Sequence, residues 1–122
     1  MAVEGGSWLY EHWAEINSFF DAPKSLAELQ AGVMDPPKGY DVHHIVEQSG
    51  AREAELPEEL IDSPDNLVAI PRWKHWLINA WFQRKSDKYG GLSPRQYLAD
   101  KPWDVRRAVG LDAMIEFGVL RP

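Results

Sequence analysis

The stretch YDVHHIVEQ (residues 40–48) sets His43 beside His44 at the end of an apolar-alternating run, and a third imidazole, His75, follows within Trp73-Lys74-His75-Trp76. The chain holds four histidines in all. A neutral imidazole offers a lone pair to a divalent cation, and with a pKa near neutrality it can also take a proton from water. Cleaving a phosphodiester with a metal needs a cation held against a phosphate oxygen, a base beside the attacking water, and a means of neutralising the leaving oxygen. One imidazole could bind the metal while its neighbour stays free as the base. With no cysteine in the chain, disulfides are excluded and any metal must be held by His, Asp, Glu, Asn or water.

Spacing alone leaves blander readings open. A regular strand sends consecutive side chains to opposite faces, so His43 and His44 can serve one site only if the strand ends or bulges there. Otherwise they are one surface and one core residue. Glu47-Gln48-Ser49-Gly50 supplies residues for an early end. His75 could be a polar residue between aromatic packing positions, and Asn66, after Pro64-Asp65, is by default a turn residue.

The elements that must position these groups follow from pattern. Leu9, Trp13, Ile16 and Phe20 recur at helical spacing, which predicts an amphipathic helix over residues 7–20 begun by Ser7. Ser25-Leu26-Ala27-Glu28 is a capping-box pattern opening a second helix to about Met34, stopped by Asp35-Pro36-Pro37. A strand is expected over Tyr40 to Val46 and another over Leu67 to Ile70. Between them lies a polar, acidic excursion with one helical turn around Pro57 to Ile61. Pro71 suits the first position of a helix running to about residue 85, with Trp73, Leu77, Ala80 and Trp81 on one face. Ser93-Pro94 starts a short helix to about Ala99, and Trp103 to Phe117 reads as a last helix with Ala108, Leu111 and Ile115 as its stripe and Gly118 as its stop.

At 122 residues, 44% of them apolar and 26% charged, the chain has the length of one domain with a real core. Six tryptophans with four tyrosines and four phenylalanines exceed what such a core needs, so some rings are expected to face a ligand or partner. No apolar run is long enough to span a bilayer, and MAVEGGSWLY lacks the basic start and apolar centre of a signal peptide, so no membrane association is expected. Gly5-Gly6-Ser7 could join an upstream segment. The net charge of -6 opposes a polyanionic partner, yet it is unevenly spread: residues 1–66 carry 3 basic and 14 acidic side chains, residues 67–122 carry 10 basic and 5 acidic.

The order DVHHIVEQ, then PDNLVAIP, then Lys74-His75, with the third histidine nine residues after Asn66, resembles the HNH motif of the ββα-metal (His-Me finger) nucleases over residues 40–85. The resemblance implies an α+β, mainly α fold: a ββα-metal core of a two-stranded hairpin and helix (40–85), an N-terminal helical segment (1–39) and C-terminal helices (86–122) around it. It implies a metal-dependent endonuclease cutting DNA, with RNA not excluded, at low sequence specificity, since nothing marks a sequence-reading element. By position, His44 resembles the general base, and His43 and His75 the ligands of one divalent cation. Asn66 resembles the central Asn that ties loop to hairpin, and Asp41 is a further acidic candidate, as a partner behind a ligand or as a ligand itself. Two imidazoles favour Zn, Ni or Co on ligand grounds, whereas nucleases of this type often work with Mg or Mn. Arg72, Lys74, Arg84 and Lys85, on or beside the helix, are the expected phosphate contacts. Small domains of this kind resemble toxin effectors of bacteria, secreted or injected to act in a target cytoplasm and paired with an immunity protein. The alternatives are a phage or prophage HNH enzyme, or an inactive domain of the same shape that binds a protein.

Overall fold

The computed structural model describes residues 2–122, with side chains from Ser7 onward. The expected first helix is two, α1 (Ala2–Glu11) and α2 (Trp13–Phe19), meeting at His12, whose ring stacks on Trp8 and reaches its carbonyl. The stripe expected to pack inward does not: Leu9, Trp13 and Phe20 are exposed, and α2 turns Ser18 inward instead. The reason is a close backbone approach. Ser18 Oγ donates to the Gly39 carbonyl at 3.3 Å, and Gly39 has φ +83°, with any Cβ there falling 2.5 Å from the Ala14 carbonyl oxygen. Small residues therefore dock α2 on the turn before the first strand, and the large ones are left outside. The capping box at Ser25 forms as expected and opens α3 (Leu26–Ala31), which stops at Gly32, short of Met34.

Aromatic and β-branched residues suit a pleat, and β1 (Tyr40–His44) pairs antiparallel with the later β2 (Leu67–Pro71), from Tyr40 opposite Pro71 to His44 opposite Leu67. The first strand ends two residues before Val46, because a side chain takes over from the ladder. Ile45 N–H still donates to the Asn66 carbonyl at 2.9 Å, but at Val46 the Asn66 amide accepts from the backbone N–H at 2.8 Å and donates to the carbonyl at 3.2 Å. The excursion holds α4 (Gln48–Glu53), α5 (Glu58–Ile61) and a 3-10 turn at Pro64–Asn66. Helix α5 lies where expected. Helix α4 was not expected, since Ser49-Gly50 reads as a breaker; burial of Ala51 with Val46 and Ile61 in a small satellite core overrides that weak propensity.

Pro71 is the last residue of β2, not the first of the helix, and α6 (Arg72–Gln83) follows at once. Its buried residues are Ile78 and Phe82, while Leu77 and Ala80 of the expected face are exposed. Helices α7 (Pro94–Leu98) and α8 (Trp103–Glu116) complete the chain, with the Ser93 capping box in place. In α8 the inward residues are Val109, Gly110, Ala113 and Met114; Ala108 and Ile115 face out. The main core joins Leu29, Ile45, Val68, Ile70, Ile78 and Phe82 to these α8 residues and to Val119 and Leu120. The architecture is α+β and mainly helical, one hairpin held among helices. Gly110 sets the closeness of α8 to the end of β1: a Cβ there would lie 2.1 Å from the Ile45 carbonyl oxygen.

Candidate metal centre and catalytic pocket

Because β1 ends at His44 and α6 begins directly after β2, the end of one strand and the first turns of the helix share a wall. An open pocket of about 480 Å³ lies there, lined by His43, His44 and His75 together with Asn79, Glu47 and Arg95 among others. The adjacent His43 and His44 and the distant His75 thus meet at one cavity.

The three are not equivalent. His43 is 3% exposed, and its Nε2 is the one buried side-chain polar atom among the described residues that lacks a hydrogen-bond partner. An unpaired buried polar group costs about 1–3 kcal/mol and calls for an explanation such as an ion. Burial above all, with His75 and His44 nearby, pushes the His43 pKa down to about 3, so it is a neutral imidazole with its lone pair intact at neutral pH. The His75 ring stands edge-on to it, centroids 5.1 Å apart. Asp41 Oδ2 lies 3.4 Å from His75 Nδ1. A carboxylate accepts only, so this contact assigns the proton to Nδ1 and leaves the lone pair on Nε2. Asp41 does not line the pocket, and its other oxygen accepts from Arg72 Nε at 2.9 Å, so it stands behind His75. Asn79, one turn beyond His75, lines the same wall.

His44 lines the same pocket from the strand's end, with Nε2 3.2 Å from Asp62 Oδ1 at the close of the excursion. Donating Nε2–H to that carboxylate leaves Nδ1 as the proton acceptor. Asn66 has no exposed surface, and its Nδ2 also donates to the Ile61 carbonyl at 2.9 Å. It is buried away from any substrate, and its hydrogen bonds tie Val46, just past the end of β1, to the loop carbonyl of Ile61, just before Asp62.

Of the four cations expected at phosphate, Arg72 is committed to Asp41 and to Glu15, the latter at 2.5 Å. Lys74 places its ammonium over the Phe19 ring, 4.4 Å from the centroid and away from the pocket. Arg84 and Lys85 are exposed just beyond α6. The cation at the pocket is Arg95, which the sequence reading missed; its guanidinium makes a two-pronged pair with Glu47. Nothing local foretells a pair spanning 48 positions, whereas Asn79 at four residues from His75 was readable from helical spacing.

Among the described residues no three His, Cys, Asp or Glu side chains converge as a complete cation cage. His43 and His75 supply two imidazoles side by side, and the orphaned Nε2 of His43 fits a cation that solvent or substrate oxygens would complete. No protein-family model, no curated protein and no solved structure matches this chain.

Proposed function

We propose that the chain is a metal-dependent endonuclease of the ββα-metal (HNH) type, hydrolysing phosphodiester bonds of DNA. The observation that carries the reading is the unpartnered, buried Nε2 of His43 beside His75, in the pocket that also holds His44. His43 and His75 would hold one divalent cation, with Asn79 as an oxygen donor. Such a cation, when bound, stabilises charge on the phosphate and on the leaving oxygen. His44 takes the proton of the attacking water at Nδ1, and Asp62 holds the ring and balances the imidazolium that forms. Arg95 has its Nε and Nη2 on Glu47, which leaves Nη1 alone to reach a phosphate oxygen at the pocket wall. Nothing in these roles reads base sequence, which supports weak sequence specificity and a toxin effector more simply than a site-specific enzyme.

The test is supercoiled plasmid incubated with Mg, Mn, Zn, Ni or Co, with and without chelator. Nicking and linearisation are expected with at least one ion and not with chelator; intact plasmid together with intact single-stranded circular DNA under every ion would sink the reading. His44→Ala is expected to keep metal binding by calorimetry while cutting falls by about 10² or more, the usual scale of a general base.

A second reading, an inactive domain of the same shape that binds a protein, is favoured by the exposed Tyr10, Trp13 and Phe20 on the first two helices. Metal binding with no cutting of any nucleic acid would select it.

A further inference from the structure

Helix α6 presents His75, Asn79 and Gln83 to the pocket at intervals of four residues, a single stripe on its surface. Trp76 precedes Asn79 by three positions and Gln83 by seven, which on a helix of 3.6 residues per turn sets it along the solvent edge of that stripe. It is 58% exposed, an unusual position for so large an apolar side chain. Val42, partly exposed, lines the same pocket from β1.

The charge around the site points the same way. Duplex binding draws its affinity mainly from cations that neutralise phosphates. Among the described residues Arg52, Arg72, Arg95 and Arg121 are each committed to a carboxylate, and Lys74 lies over Phe19. With net charge -6 and these five cations engaged, Arg84 and Lys85 beyond α6 are the exposed cations left near the pocket, few for a duplex backbone. Stacking of an unpaired base on an exposed ring needs no such charge. His43 at 3% exposure is also recessed, so a strand must descend into the pocket to bring a phosphate near it.

We propose that the pocket takes its substrate as single-stranded nucleic acid, with an unpaired base stacked on Trp76 at the rim. This rests on the nuclease reading for what happens in the pocket, but its test does not depend on cutting. Fluorescein-labelled oligonucleotides of one sequence, as single-stranded DNA, single-stranded RNA and duplex DNA, are titrated by anisotropy in chelator with wild type, Trp76→Ala and Trp76→Phe. Wild type is expected to bind a single strand more tightly than the duplex, with the DNA and RNA arms telling which sugar is preferred. Trp76→Ala is expected to weaken single-strand binding about ten-fold or more with duplex binding unchanged, and Trp76→Phe to retain most of the affinity. Tighter duplex binding by wild type, an Ala variant equal to wild type, or no binding of any strand would overturn the proposal. Plasmid cutting without a Trp76 effect removes this proposal and leaves the nuclease; Trp76-dependent binding without cutting does the reverse.

Discussion

At the scale of single residues the most informative group is His43, because its burial makes a claim about protons. Its folded pKa of about 3 lies below the ordinary 6.5 of an imidazole, so between those values the unfolded chain binds the extra proton and the folded chain does not. Stability from this group is therefore fully present above about pH 6.5 and is lost as pH falls toward 3, with a slope of up to ~1.4 kcal/mol per pH unit for one proton. His43→Leu removes both the proton site and the orphaned Nε2. Urea unfolding in chelator at pH 7.5, 6 and 5 should show wild type losing more stability than this variant across the series. A divalent cation should raise the midpoint of wild type at pH 7.5 and leave that of the variant in place. Identical pH dependences would mean that the ring is not held neutral by its surroundings.

At the scale of elements, the site depends on how closely α8 approaches the end of β1. Gly110→Ala puts a methyl 2.1 Å from the Ile45 carbonyl oxygen, a backbone atom next to His44, so the helix or the strand end must shift. A loss of about 1–3 kcal/mol in unfolding free energy is expected from such overpacking, together with weaker cutting at temperatures where the variant is still folded. A stable variant with full activity would show that the strand end tolerates displacement. This dependence was invisible in the sequence, where Gly110 was merely a residue within a helix. Local signals did better. Ser25 and Ser93 opened helices where their capping boxes lay, the two strands fell at the two apolar runs, and the three histidines, though not Asn66, line one pocket. What pattern missed was decided by tertiary contact: the outward stripe of α1 and α2, the inward turn of Ile78 instead of Leu77, the helix α4 anchored by Ala51, and the Glu47–Arg95 pair. Periodicity tells that a helix has two faces, but which face is buried is fixed by what packs against it.

At the scale of the whole molecule, the sign change along the sequence reads differently once folded. Part of the basic half's charge is turned inward, because Arg72 and Arg95 reach back to carboxylates of the acidic half at Asp41, Glu15 and Glu47. Much of the charge asymmetry is spent on joining the two halves across the site. The exposed cations nearest the end of α6 are then Arg84 and Lys85, one and two positions beyond the Gln83 that lines the pocket. If they meet the phosphates of a strand that enters past Trp76, their effect has a fixed size. Each phosphate neutralised on a single strand contributes about 0.7 to the slope of log affinity against log salt. Replacing both by Gln should therefore lower the magnitude of that slope by about 1.4 in single-strand titrations between 50 and 200 mM salt, about the range over which such slopes are read. Lys74→Gln should leave the slope unchanged, since its ammonium is engaged over the Phe19 ring away from the pocket. A slope that responds to Lys74 and not to Arg84 and Lys85 would route the strand over the other side of α6, toward Phe19, and would separate phosphate binding from the wall where the three histidines meet.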